Sequence, residues 1–256
     1  MAFLVTGFDN SDMTRIKAGI FGASGRMGSL VADLVAAHYS DRLEVTAALS
    51  GQADGLDPFS ACDLVIDFSL PAGTERLTAW LAAAASRPVT VVSGTTGCSE
   101  DQLAAFLALG DRRKVMHATN FSAGVAAMAR LLHVAGPLLA SLGYSAVLTE
   151  THHRHKKDAP SGTALTLTEA LEASYPDGLQ THSIRAGEIV GRHEVSFYGD
   201  HDTISLGHDA LDRGVFARGA IEASLWLHSL TDASGHYTID DFISAKLGPA
   251  PGAATR

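Results

Sequence analysis

The chain has 256 residues, 46% hydrophobic and 18% charged, which is the composition of an ordinary globular protein with room for one large or two modest domains. A formal net charge of -9 with no extended basic face argues against duplex nucleic acid as a partner, and no uninterrupted apolar run reaches the ~18 residues of a membrane span. Only Cys62 and Cys98 are present, so there is neither a disulfide framework nor a zinc-type CxxC pair, which fits a reducing cytoplasm.

Residues 1–14 begin with an apolar stretch, Met1 to Phe8, that lacks a basic leader and is followed by Asp9 and Asp12. It is too short and wrongly flanked for a signal peptide, and residues 1–14 are expected to be a disordered extension. From Arg15 onward, short β-rich runs alternate with helical ones. A strand is predicted at Ile16–Phe21, then a glycine turn and a helix over Ser29–Ala37. Strands follow at Leu43–Leu49, Leu64–Phe68, Val89–Ser93 and Val115–Ala118, with helices around Glu75–Ala85 and Ser99–Ala108. This alternation predicts a doubly wound parallel α/β sheet. Ser99 and Gln102 have capping-box spacing, whereas Ser50–Asp63, with Gly51, Gly55 and Pro58, is too short for a helical crossover.

After Phe121 the pattern changes. A helix over Val125–Leu139, a strand at Ser145–Thr149, a helix from Ser161 to about Ser174 and a hairpin of Glu194–Tyr198 with Thr203–Leu206 predict an α+β unit with open sheet edges. Helices over Val215–Leu227 and Ile239–Leu247 return to the first unit. The expected division is therefore a dinucleotide-binding domain of residues 15–121 and 214–256, and a substrate-binding and oligomerisation domain of residues 122–213.

Gly22-Ala23-Ser24-Gly25-Arg26-Met27-Gly28 lies between the first strand and helix, a G-x-x-G-x-x-G variant of the dinucleotide fingerprint. Glycine also serves tight turns for conformational reasons alone, so the β-α-β context carries the reading. Here a pyrophosphate would rest on helix amides, with Arg26 able to pair with a phosphate. The carboxylate that would bind the adenosine ribose hydroxyls is missing, because Ser50-Gly51 ends the second strand. Neutral Ser50 removes repulsion toward a ribose 2′-phosphate, which favours NADPH and leaves NADH acceptable, although no basic residue follows to hold the phosphate. Gly94-Thr95-Thr96-Gly97 and Ala118-Thr119-Asn120-Phe121-Ser122 fall just after strands, at the sheet edge where ligands lie, and Thr95, Asn120 and Phe121 are candidates to face a nicotinamide.

The densest chemistry lies between Glu150 and Ala164. His152, His153 and His155 are interleaved with Arg154, Lys156 and Lys157, directly ahead of the helix start Pro160-Ser161-Gly162-Thr163. Free amides and the dipole at such a start bind carboxylate or phosphate, and histidine moves protons near neutrality. A lysine among other cations becomes an acid of useful strength. No metal is expected, because three cations oppose a divalent ion and no Cys or carboxylate pair accompanies the imidazoles.

The segment Glu150–Ala164, supported in chain order by Gly22–Gly28, Gly94–Gly97, Asn120–Ser122 and Arg185–Gly191, resembles the 4-hydroxy-tetrahydrodipicolinate (dihydrodipicolinate) reductase family, and the resemblance runs from about Ile16 to the C-terminal helix. The resemblance implies an N-terminal Rossmann domain, a C-terminal α+β domain that carries the substrate site and builds a homotetramer, and NAD(P)H as reductant. It implies a cytoplasmic enzyme of diaminopimelate and lysine biosynthesis that reduces a small unsaturated dicarboxylate. By the same resemblance His152 and Lys156 are the acid/base pair, with Lys156 the proton donor, and His153, Gly162 and Thr163 bind a substrate carboxylate, beside Ser161 at the helix start. Two departures stand out: members often carry an acidic residue followed by Arg where Ser50-Gly51 stands, and a longer Ser50–Asp63 segment. The competing readings are another NAD(P)-dependent imino- or amino-dicarboxylate oxidoreductase, of the aspartate dehydrogenase type, and a non-catalytic nucleotide sensor.

Overall fold

The computed structural model describes residues 14–83, 88–232 and 234–247. The extension expected over 1–14 lies outside these except for Thr14, as does the end of the helix expected over Glu75–Ala85.

The first sheet is built from β1 (Ile16–Phe21), β2 (Leu43–Leu49), β3 (Leu64–Asp67), β4 (Thr90–Ser93), β5 (Lys114–His117) and β10 (Gly235–Tyr237), in the order β10-β5-β4-β3-β1-β2. Every pairing is parallel. Helices α1 (Arg26–His38), α2 (Pro71–Ala83), α3 (Glu100–Ala108) and α6 (Gly214–Ser229) cover its two faces. A parallel sheet covered on both sides needs strands apolar throughout, and β3 shows why. Leu64 and Ile66 pack with Val31 of α1 and Ile221 of α6, while Val65 between them packs with Leu77 and Leu81 of α2. α3 begins at the expected capping box, in which Ser99 and Gln102 each satisfy the other's backbone N–H.

The short β2–β3 connection contains no crossover α-helix. It is a tight 3-10 turn, Asp57–Ala61, that drives Phe59 into the core beside Phe21, with ring centroids 5.8 Å apart. Burying such a ring stabilises the fold by roughly 1.5–3 kcal/mol. Gly19 makes room for it: a Cβ there would lie 2.6 Å from the Phe59 ring.

The second sheet has the order β7-β6-β8-β9, from β6 (Ser145–His152), β7 (Gln180–Arg185), β8 (Gly191–Tyr198) and β9 (Thr203–Ala210). β6 and β7 are parallel and the other pairs antiparallel, giving the expected α+β character. Helices α4 (Ala123–Ser141) and α5 (Gly162–Glu172) pack on one face through Met128, Leu132, Leu167 and Leu171 against Leu148, Val195 and Phe197. By length and hydropathy alone α4 could cross a membrane, but Met128, Leu132 and Leu139 are buried in this core. Beyond the second sheet, α6, β10 and α7 (Ile239–Leu247) rejoin the first, where Phe242 and Ile243 pack with Met116 and Leu227.

Several elements differ from expectation: α1 and α2 begin three and four residues earlier, β8 begins three residues earlier at Gly191, and β9 runs on to Ala210. β6 runs three residues past Thr149 and ends on His152. β7 and β10 had no counterpart in the sequence reading.

Candidate active site

A cleft of ≈ 700 Å³ opens at the carboxyl edge of the first sheet, where the strand order reverses around β1. Gly22, Ser24, Gly25, Arg26, Met27, Ser50, Gly94, Thr95 and Thr96 line it. The turn demands its glycines: Gly22 has φ +82, and a Cβ on Gly28 would lie 2.2 Å from the Gly22 carbonyl oxygen. Gly25 caps α1 without a side-chain hydrogen bond, so the first-turn amides are left for an incoming anion. This cradle fits the pyrophosphate of a dinucleotide.

Behind the cleft, Asp67 at the end of β3 is wholly buried. It accepts from Ser69 N (2.9 Å), Thr74 Oγ1 (2.6 Å), Ser93 Oγ (2.9 Å) and Thr95 Oγ1 (3.2 Å). The hydroxyl of Thr95 therefore faces inward, and the Gly94–Thr96 loop is held by the carboxylate beneath it. Ala23 packs toward α1, and Phe121 is buried edge-on against Phe68, so their side chains form the floor behind the cleft. Ala118, Thr119 and Asn120 line a second cleft of ≈ 550 Å³ that also touches α4, α5 and residues 238–240.

Glu150 and His152 lie two apart on β6 and share its inward face. Glu150 Oε1 accepts from Arg185 Nη2 at 2.7 Å and from the Ser161 amide at 3.3 Å, while Oε2 contacts His152 Nδ1. Burial alone would raise the Glu150 pKa. Hydrogen bonds from Arg185 and Ser183 and the charges of His152 and Arg185 outweigh it and hold the carboxyl at about 2. His152 moves down from its usual value because burial, helped by Lys156 and Arg185, outweighs the pull of Glu150. A carboxylate only accepts hydrogen bonds, so it fixes the proton on Nδ1 and leaves Nε2 as the basic nitrogen. Gly191 keeps that nitrogen clear, since a Cβ there would stand 3.1 Å from it.

His193 of β8 meets the His152 ring edge-on at 5.1 Å and shares a hydrogen bond with Ser161 Oγ at 3.1 Å. Burial, reinforced by His152, pushes His193 down to about 4. Glu150, His152 and His193 have ligand atoms within 4.8 Å of one another. Arg185 engages Oε1 of the carboxylate and Ser161 engages His193, so these groups are tied into one ion-paired network.

Lys156 is half-buried and pairs with Asp158 Oδ2 at 2.8 Å. Burial would raise Asp158, but the hydrogen bond and charge of Lys156 hold it below its usual range. Arg154 and His155 are exposed and turn toward Glu188, at 3.6 and 3.9 Å, so part of the expected positive potential is neutralised outside the pocket. His153 is half-buried, its ring 6.3 Å from that of His155. Ser161 is buried and its hydroxyl caps α5 by accepting from Ala164 N at 3.1 Å, so it holds the helix start while Gly162 stays exposed. Thr163 Oγ1 accepts from Asn120 Nδ2 at 2.8 Å, joining the loop after β5 to the start of α5.

Sequence reasoning did not single out Glu150, Asp158, Arg185, His193 or Asp67 as site residues. Glu150, Asp158 and Arg185 stood inside quoted motifs, which was the one available signal. His193 and Asp67 lie within or at the end of strand runs, and only the folded register brings them to the site.

Residues 16–121 match a family model described as dihydrodipicolinate reductase, N-terminus, and residues 124–243 match its C-terminal counterpart. The 4-hydroxy-tetrahydrodipicolinate reductase of Stenotrophomonas maltophilia is 40% identical over 248 residues, covering 91% of this chain and 99% of that protein. The reductase of the same name from Sulfurimonas denitrificans is 37% identical over 257 residues, covering 88% and 98%. Among solved structures, a dipicolinate-bound dihydrodipicolinate reductase from Paenisporosarcina sp. shares the fold at TM-score 0.70 and 19% identity, over 88% of this chain and 98% of that one.

Proposed function

The chain belongs to the dihydrodipicolinate reductase family, and from this we infer that it reduces 4-hydroxy-tetrahydrodipicolinate to tetrahydrodipicolinate with NAD(P)H, a step of diaminopimelate and lysine biosynthesis. The observation that carries the assignment of roles is the buried Glu150 carboxylate, which grips Arg185, His152 and the Ser161 amide at once. One acidic group thereby ties a proton-transfer residue to an anion-binding helix start.

When bound, the reduced nicotinamide supplies a hydride to the substrate ring, whose hydroxyl leaves as water while a proton is added. Lys156 delivers that proton, and the Asp158 carboxylate at 2.8 Å holds its side chain in position. His152, with its Nδ1 proton fixed by Glu150, offers Nε2 to pass a proton onward. The amides of Gly162 and Thr163, held in place by the Ser161 cap, bind a substrate carboxylate together with His153. Gly22–Met27, Ser50 and Gly94–Thr96 would hold the coenzyme, with Ala118–Phe121 bordering its nicotinamide end. Uncharged Ser50 favours NADPH.

Residues 15–121 with 214–256 act as the coenzyme domain and 122–213 as the substrate domain. We assign a homotetramer in the cytoplasm, acting without nucleic acid or membrane. What supports assembly is the open edges of β7 and β9, with Ile184, Tyr198 and Ile204 exposed on that sheet.

The test is a coupled assay in which substrate is generated in place from pyruvate and aspartate semialdehyde by its synthase, while NADPH and NADH absorbance are followed in parallel. Oxidation that depends on this protein is expected. Folded protein that binds nucleotide yet oxidises neither coenzyme would overturn the assignment in favour of another dicarboxylate substrate or a sensor.

A further inference from the structure

The strand–loop that ends β2 offers no cation to an adenosine 2′-phosphate, since Ser50-Gly51-Gln52-Ala53 is neutral throughout. The fold brings one from elsewhere. Arg76 lies on α2, one helical turn beyond Gly73, which itself lines the coenzyme cleft together with Ser50, Gly51 and Gln52. Its Nη1 donates to the Gly51 carbonyl at 3.4 Å and its Nη2 to the Ala53 carbonyl. The loop also touches the turn that leads into α2, where a Cβ on Gly51 would lie 3.2 Å from the Ser69 Cβ.

Arg76 forms no ion pair among the described residues. The carboxylate of the adjacent Glu75 is engaged by Gln102 Nε2 at 2.9 Å, and Asp57 takes the Trp80 indole N–H at 3.4 Å. A guanidinium anchored on two carbonyls keeps its full charge and retains donors for a second ligand. It stands at the end of β2, where the adenosine ribose of a dinucleotide lies in this topology. Arg26 is the cation that lines the cleft itself, and it belongs to the first turn of α1, where the pyrophosphate would bind; Arg76 stands behind the lining residues Gly51 and Gly73.

We propose that Arg76 is the specificity-determining residue for the coenzyme, reading the ribose 2′-phosphate of NADPH from α2 and pinning the 51–53 loop that borders it. The phosphate accepts from the free edge of the guanidinium, and the Ser50 hydroxyl adds a neutral donor without repulsion. This rests on the coenzyme reading given above.

The experiment is calorimetric titration of the full chain with 2′,5′-ADP and with 5′-ADP, repeated for Arg76→Gln and Arg76→Lys, both checked for folding by circular dichroism. Neither probe requires turnover. The parent protein is expected to bind 2′,5′-ADP at least about tenfold more tightly than 5′-ADP, a preference that added salt erodes. Arg76→Gln should abolish the preference, and Arg76→Lys should restore only part of it. Equal binding of the two probes by the parent protein, or an undiminished preference in Arg76→Gln, would overturn the proposal and leave the coenzyme site standing. Failure of the folded protein to bind either probe would overturn the coenzyme reading and the proposal with it.

Discussion

Glu150 and Arg185, on the neighbouring parallel strands β6 and β7, meet at 2.7 Å with the Glu150 carboxylate wholly buried. The strand register that pairs His152 with Arg185 and Glu150 with Ser183 makes this contact, so the charge pair, the imidazole and the serine that steady one another share one edge of the second sheet.

Replacing Glu150 by Gln keeps the shape, leaves Arg185 without its counter-ion and removes the charge that fixes His152. Breaking a buried pair from one side costs about 3 kcal/mol or more, to be read from urea unfolding at neutral pH. The acid limb gives a second readout. Because the folded pKa of about 2 lies below the usual carboxylate value of 4.5, the Glu150 contribution is complete above pH 4.5 and is lost as pH falls toward 2. The Gln variant should lack that part of the acid limb. An unchanged acid profile would refute the linkage.

His193 acts in a different window. Its folded pKa of about 4 lies below the ordinary 6.5, so between these values the unfolded chain binds more protons and stability rises with pH. Stability should therefore decline as pH falls from 6.5 to 4, by about 1.4 kcal/mol per pH unit for each such group. His152 and His208 are shifted the same way, so His193→Gln should make the slope shallower without abolishing it. Melting temperatures of both proteins across this window would decide it, and parallel curves would count against a buried neutral His193.

Much of the coenzyme half was legible in the sequence, because its signals are local. Gly22–Gly28 and the Ser99–Gln102 capping box each specify their own backbone within a few residues. The substrate half was legible only in part. An alternating pattern assigns polar side chains to solvent, so the strand is expected to end at Thr149 with Glu150 and His152 beyond it, whereas ion pairing turns both inward and prolongs β6 to His152. β7 carries almost no apolar residue to mark it, and β10 is three residues added to an edge already built. Asp67, Arg76 and His193 gain their neighbours from strand order, which brings residues distant in sequence to one rim.

Lys156→Ala should lower turnover by ~100-fold or more if Lys156 delivers the proton. Coenzyme affinity should be unaffected, because Lys156 lies outside the coenzyme cleft. Steady-state kinetics with the generated substrate, alongside direct coenzyme titration, separates the two quantities. A kcat close to that of the parent protein would remove Lys156 from the mechanism.

Gly219 of α6 packs directly on the loop after β5, and a Cβ there would lie 1.8 Å from the Phe121 carbonyl oxygen. The obstacle is backbone, which cannot swing aside as a side-chain tip can. Gly219→Ala should destabilise the chain by roughly 1–3 kcal/mol, visible as a lower melting temperature. It should also weaken coenzyme binding, since the displaced loop carries Asn120 and Phe121. A variant with parental stability and affinity would show that α6 is free to shift at this contact.

Asn120 and Thr163 connect the loop after β5 to the start of α5, the proposed substrate-carboxylate site, through a 2.8 Å hydrogen bond. Asn120 also accepts from the Ser122 amide at 2.7 Å, so Asn120→Ala alone loses two interactions and overstates the link. Thr163→Val keeps the side-chain shape and removes only the acceptor. A double-mutant cycle separates the two, because the Ser122 contribution appears both in Asn120→Ala and in the double variant and cancels. The coupling that remains should be about 1 kcal/mol in kcat/KM if this bond aligns the two halves for hydride and proton transfer. Additive single effects would mean that the coenzyme loop and the substrate helix are positioned independently.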